Sequence, residues 1–184
     1  MCRVLIVAGA PASGKTVYAT ALAKKLNCLV FDLDDRLPDF IEQGHARLEE
    51  VGMEKFLAEI RQMRYHDLVE RGIQALIGSK SVILVAPFSK EISNIERWGE
   101  LISAFLEIGV QPKLIWIHVD REKVRERMLA RAEIRDQEKV LSEETFHQYM
   151  QSTSHELPIV PHVEVRGDLP PESQLDVLNR FTIL

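Results

Sequence analysis

The stretch Val4-Leu5-Ile6-Val7-Ala8-Gly9-Ala10-Pro11-Ala12-Ser13-Gly14-Lys15-Thr16 joins a continuous apolar run to a glycine-punctuated turn. Val4 to Ala8, apolar throughout and rich in β-branched residues, has the pattern of a strand buried on both faces of a parallel sheet. Beyond the turn, Lys15 to Leu26 reads as a helix, with Val17, Ala21, Leu22 and Leu26 recurring near the 3.6-residue period. The turn is G-x-x-x-x-G-K-[ST], and each fixed position has a chemical reason. Gly9 and Gly14 let the chain curl until several backbone N–H groups converge on one anion-sized nest. The helix that starts near Lys15 adds the positive end of its dipole. Lys15 supplies a point charge for terminal phosphates, and the Thr16 hydroxyl can ligate Mg²⁺. Gly9, Ala10, Pro11, Ala12, Ser13, Gly14, Lys15, Thr16 and the adjoining Val17 are therefore the candidate nucleotide-binding residues.

Working outward, Cys28 to Phe31 reads as a second strand, stopped by Asp32-Leu33-Asp34-Asp35. Residues 36–80 carry no strand signal. A short helix is expected near 38–50, then a long one marked by Met53, Phe56, Leu57, Ile60, Met63 and Leu68 and running to Ile77. Ser81 to Ala86 is a third strand, Glu91 to Glu107 a helix, Lys113 to Val119 a fourth strand and Arg121 to about Ala132 a helix that Asp120 caps. A helix start at Ser142, a short strand from His162 to Val165 and Pro171 in a first helical turn complete the chain. Strands alternating with helices imply a parallel sheet covered on both faces, a three-layer α/β domain.

The 184 residues fit one domain at roughly 100–200 residues each. The apolar share of 46% excludes a disordered chain, and a net charge of −5 argues against a broad nucleic-acid or membrane surface. Two cysteines, Cys2 and Cys28, make neither a disulfide framework nor a zinc site, and with no signal peptide or 18-residue apolar run a cytoplasmic location is expected. The six histidines show no metal spacing, and Trp98 and Trp116 sit at core positions.

Two further clusters bear on chemistry. Strand C-termini form the ligand crevice of an open α/β sheet, so the acids at the end of the second strand face it. Alternation puts Asp32 and Asp34 on one side and turns Asp35 away, where an acidic helix-capping turn is the competing reading. A carboxylate there is suited to accept an attacking hydroxyl's proton or to hold Mg²⁺. The second cluster follows the fourth strand: residues 121–135 carry six basic and three acidic side chains. Arg127, Arg131 and Arg135 fall within about 60° of the inward stripe of Val124 and Met128, whereas solvating arginines should lie opposite it. An ordinary salt-bridged helix is the alternative.

The phosphate loop with Asp32-Leu33-Asp34-Asp35 on the next strand resembles the small P-loop kinases: gluconate, shikimate and nucleoside-monophosphate kinases, chloramphenicol phosphotransferase, zeta toxins and polynucleotide kinases. Val82 to Ser89 is similar to ATP-binding proteins of the same group. The resemblance implies a five-stranded sheet of order 2-3-1-4-5, one kinase domain over 1–184, a helical acceptor-binding insert at 36–80 and a lid at about 127–142. It implies ATP and Mg²⁺ as cofactors and a γ-phosphoryl transfer to a hydroxyl of a small-molecule acceptor. Asp34 takes the role of base, with Asp32 in reserve and, with Thr16, near the metal. Arg127 covers the adenine, Arg131 and Arg135 join Lys15 in neutralising the transferred group, and the loop Gly167 to Pro171 frames the base.

By the same analogy Arg36, Arg61, Arg64 and Ser89 are acceptor-side candidates. The third strand ends in Ala86-Pro87 without the acid that many ATPases use for metal, and no Asn-Lys-x-Asp guanine motif occurs, which favours ATP. Two alternatives stand beside this reading. A polynucleotide or nucleoside 5′-hydroxyl kinase would phosphorylate oligonucleotide ends with steep salt dependence. A non-catalytic ATP-binding regulatory protein would bind ATP without acceptor-stimulated turnover.

Overall fold

The structure, a computed structural model, describes residues 2–131, 139–152 and 157–180. Five strands, β1 (Val4–Gly9), β2 (Leu29–Asp32), β3 (Val82–Val85), β4 (Lys113–His118) and β5 (His162–Arg166), form one sheet of order β2-β3-β1-β4-β5. All four pairings are parallel. The expected sheet and its order are what the chain adopts. β1 lies at the centre and is buried along its whole length, which is why its sequence is apolar without alternation.

The helices divide between the two faces. Leu5 and Val7 face Tyr18, Ala19 and Leu22 of α1 (Lys15–Leu26). Val4, Ile6 and Ala8 face the other layer, where Leu68 and Leu76 of α5 (Arg61–Ile77) and Trp98 and Phe105 of α7 (Ile95–Glu107) pack. A third apolar cluster joins Val124 and Met128 of α8 (Arg121–Arg131) to Phe146 and Met150 of α9 (Glu143–Ser152), with Ala10 at its edge. It seats α8 and α9 beside the phosphate loop. The chain ends its described part in α10 (Pro171–Arg180).

Several expected elements differ in detail. β2 runs one residue further than the apolar pattern indicates, because Asp32 still pairs with Val85. The helix expected at 38–50 is two, α2 (Leu37–Gln43) and α3 (His45–Val51), divided at Gly44. The one expected over 53–77 breaks at Ile60 into α4 (Met53–Glu59) and α5. Phe56, Ile60, Arg64, Leu68, Gly72 and Leu76 are all buried, every fourth residue. A strict four-residue spacing drifts about 40° per step around a helix of 3.6 residues per turn, so one straight rod cannot keep all six inward. The break lets the row stay against the core and leaves Met63 exposed.

Glu91–Glu107 also divides, into α6 (Ser89–Ile92) and α7, where the Asn94 side chain accepts the Arg97 N–H as an N-cap. Val17 does not join the core stripe of α1; Tyr18, Ala19, Leu22 and Ala23 do, and Val17 points to the cleft described next.

Candidate active site

The C-terminal ends of β1, β2 and β3 open onto a cleft of about 690 Å³. One wall is the phosphate loop. Gly14 ends it in a left-handed conformation as the N-cap of α1. A side chain on Gly9 would bring its Cβ to 2.5 Å from the Ile117 carbonyl, so the loop leaves β1 in direct contact with β4. Gly9, Ala10 and Ser13 lie buried beneath the loop surface, while Pro11, Ala12, Gly14, Lys15, Thr16 and Val17 line the cleft. The Lys15 ammonium bridges the loop, Nζ donating to the Ala10 carbonyl at 2.6 Å. The buried Ser13 hydroxyl has no hydrogen-bond partner among the described residues.

The end of β2 meets this loop where Thr16 Oγ1 donates to Asp32 Oδ2 at 2.7 Å. Asp32 Oδ1 accepts the Asp34 N–H at 3.0 Å, so both oxygens of that carboxylate are engaged. A hydroxyl and a carboxylate meeting at the start of the phosphate-loop helix are the hard oxygen donors that Mg²⁺ prefers. No group of three or more His, Cys, Asp or Glu side chains suited to a metal occurs among the described residues. The residues therefore fit Mg²⁺ held largely by phosphate and water, as it is in nucleotide sites, and not a dedicated protein cage.

Asp34 lies in the same cleft, 2.7 Å from Arg64 Nη2, which also donates to the Leu33 carbonyl at 3.1 Å. Arg64 is only 8% exposed, and its Nε is buried without a partner. Its place in the buried four-residue row explains the burial: α5 carries it into the wall, and the carboxylate of Asp34 offsets the charge. Asp34 itself is about half exposed, at 44%, and faces the cavity. Arg71 approaches the same turn from behind, donating to the Asp32 carbonyl at 3.3 Å.

The phosphate side also carries cations from α8. Arg127 donates to the carbonyls of Ala12 and Ser13, both at 3.3 Å, and to that of Gly167 at 2.9 Å. It thus ties α8 to the phosphate loop and to the loop after β5. Gly167 has no room for a side chain, because its Cβ would collide with the Ser13 carbonyl and the methyl groups of Ile117 and Val119. In the same loop Arg166 forks onto Asp168 at 2.9 and 2.7 Å, which holds that carboxyl down at about 2. Asp120 accepts the Val124 N–H through its carbonyl, as a helix-capping residue does, while its carboxylate lies 3.6 Å from Arg166. Arg131 lines the cleft at the end of α8, and Arg135 falls outside the described residues.

Of the remaining acceptor-side candidates, the cleft includes only Arg64. Arg36 turns away to Asp39 at 2.8 Å and Asp67 at 3.3 Å. Arg61 pairs with Glu91 at 2.9 Å and stacks 4.2 Å from the centre of the Tyr65 ring, in a separate groove between α5 and α7. Ser89 opens α6, where its carbonyl accepts the Ser93 hydroxyl. Sequence reasoning missed Leu57, Lys139 and Tyr149 and turned Asp35 away, yet all four line the cleft, Asp35 because the strand has ended by Asp32. Lys139 continues the four-residue spacing of Arg127, Arg131 and Arg135, and extending that row would have found it. Its ammonium lies 5.0 Å over the Tyr149 ring.

A family model described as an AAA domain matches residues 4–155. The chain belongs to the AAA domain family. Its matched span contains the phosphate loop, the β2 acids and α8. This AAA domain is 28% identical over 140 residues to an adenylate kinase of Campylobacter curvus, covering 72% of the chain and 70% of that protein. It is similar in structure to a sugar kinase from Janibacter sp. HTCC2649, with TM-score 0.66, 15% identity and coverage of 100% and 96%. It is also similar to a gluconokinase from Sinorhizobium meliloti 1021, with TM-score 0.65, 14% identity and coverage of 97% and 93%. At those identities the solved structures speak to the fold, and the resemblance to small P-loop kinases read from the sequence is borne out. No described helix is long and apolar enough to cross a membrane.

Proposed function

We propose that this AAA domain is an ATP- and Mg²⁺-dependent phosphotransferase that moves the γ-phosphoryl group of ATP to a hydroxyl of a small molecule. The observation that carries the reading is the position of Asp34. It shares one cleft with Lys15 and Thr16, and Arg64 fixes it 2.7 Å from a buried guanidinium. An anchored carboxylate beside the phosphate nest is suited to take the proton of an attacking hydroxyl.

In this mechanism the loop N–H groups and Lys15 bind the β- and γ-phosphates, with Lys15 leaving the Ala10 carbonyl for them. Thr16 and Asp32 hold Mg²⁺, which neutralises charge on the phosphates when bound. Asp34 accepts the acceptor's hydroxyl proton as its oxygen forms the new P–O bond, and the bond to the ADP oxygen breaks in line. An anchored Asp34 acts chiefly by orienting the hydroxyl, which suits a loose transition state with little covalent demand on the protein. Arg131, with Arg135, stabilises the charge on the transferring group, and Arg127 stands between the phosphate loop and Gly167, where the adenine is placed. The segment 36–80 covers the acceptor within one kinase domain, and the lid expected at about 127–142 falls partly outside the described residues.

The likeness to an adenylate kinase favours a second reading, in which the acceptor oxygen belongs to a nucleotide and not an alcohol. Both are tested by ADP release from Mg·ATP with separate pools of sugars, hydroxy acids, nucleosides, nucleoside monophosphates and 5′-hydroxyl oligonucleotides. Stimulation by an alcohol pool is the expected result, and stimulation by monophosphates alone supports the second reading. Tight ATP binding with no effective pool would contradict both.

A further inference from the structure

We propose that Arg71 is a positioning residue for Asp32, so that the helix on the acceptor side also sets the metal-facing carboxylate, an inference that rests on the Mg²⁺-dependent reading above. β2 is the edge strand of the sheet, bonded on one side only, to β3. Its last residue, Asp32, therefore lacks a neighbouring strand on the outer side. Arg71 and Asp35 take that place. The Asp35 carboxylate accepts the Asp32 N–H at 2.8 Å, while the Asp32 carbonyl accepts both the Asp35 N–H at 3.1 Å and Arg71 Nη2 at 3.3 Å. The two jaws are themselves joined, Arg71 Nη1 lying 3.5 Å from Asp35 Oδ2.

The guanidinium is fixed in turn. Its Nε donates to Asp67 Oδ2 at 2.9 Å, one turn back on α5, and its carbon sits 5.2 Å from the centre of the Phe31 ring. Three directions are thus served by one planar fork, which an ammonium on a flexible stem does not reproduce. With the Asp32 peptide held at both ends, its carboxylate keeps Oδ2 on Thr16 and Oδ1 on the Asp34 N–H. Arg71 does not line the cleft, so it acts through Asp32 and Asp35 and not on substrate. Arg64 lies seven residues earlier, two turns away on the same side of α5, and does for Asp34 what Arg71 does for Asp32.

The test measures binding of a fluorescent ATP analogue in EDTA and across a Mg²⁺ titration, with thermal midpoints in parallel, for wild type, Arg71→Met, Arg71→Lys and Asp35→Ala. For Arg71→Met the Mg²⁺ concentration at half-maximal binding is expected to rise about tenfold, as for other losses of a group behind a metal ligand, while metal-free affinity stays within about twofold. Arg71→Lys should lie between the two. Asp35→Ala, at a half-exposed position, should move the Mg²⁺ midpoint in the same direction, with its thermal midpoint read alongside. An unchanged Mg²⁺ midpoint in Arg71→Met would overturn the assignment. So would parallel losses with and without Mg²⁺ that follow the thermal midpoint, the mark of a merely structural residue. Wild-type binding indifferent to Mg²⁺ would instead overturn the metal-dependent reading itself, and that failure is visible before any variant is made.

Discussion

The two walls of the cleft are built by different means. On the phosphate side, the loop is shaped by backbone: Gly9 against β4, Gly14 as a left-handed cap, Gly167 pressed on Ser13, and Arg127 bonded to three carbonyls. On the acceptor side, the acids of β2 are placed by side chains from a distant helix, Arg64 to Asp34 across 30 residues and Arg71 to Asp32 across 39. A backbone nest recognises what all nucleoside triphosphates share. A wall set by side-chain pairs is free to change with the acceptor while the nest stays fixed. The contrast predicts that variants of the first wall change nucleotide binding itself, whereas in the second wall loss of Arg64 changes transfer and loss of Arg71 changes the Mg²⁺ requirement.

Lys15→Met should break the phosphate side most severely, lowering kcat/KM by about 10³-fold through loss of charge at the terminal phosphates, read in steady-state ADP release. Arg64→Met should lower kcat on the order of 10²-fold by freeing Asp34 while the KM for ATP stays near the wild-type value. A rise in that KM equal to the fall in kcat would erase the distinction between the walls. Gly167→Ala forces a methyl onto the Ser13 carbonyl and should cost about 1–3 kcal/mol in urea unfolding, with weaker nucleotide binding.

The smallest effect is expected from Asp168→Asn. Arg166 holds the Asp168 carboxyl at about 2, below its ordinary 3.8, so the pair stabilises the folded chain above about pH 4 and ceases to as pH falls through about 2. The variant should lose that part of the slope of Tm against pH in this window; its deficit, small because the pair is largely exposed, should be greatest at neutral pH and vanish below about pH 2.

The same division separates what was legible in the sequence from what was not. β1 and the phosphate loop are local: a buried strand, a turn and a helix follow one another within 26 residues, and each leaves a pattern in the residues that form it. The strand order follows from the resemblance that this segment carries. Arginines near an apolar stripe are a weaker signal, because an internal carboxylate answers their charge as well as a substrate does. Arg61 found Glu91 and Arg36 found Asp67, each about 30 residues away, and no spacing rule anticipates those pairs. Arg64 was named by analogy as an acceptor-side residue, and not as the partner of Asp34. Arg71, between Glu70 and Gly72 on a helix that reads as solvated there, left no signal of its own.

Asp34 is the residue at which the two walls act together, and it is tested by comparing wild type with Asp34→Asn in two titrations run side by side: Mg·ATP binding at equilibrium, and ADP release against the stimulating acceptor pool. The account predicts nucleotide affinity within about twofold of wild type and acceptor-stimulated release reduced by about 10²–10⁴-fold. Wild-type stimulation retained in Asp34→Asn would contradict it.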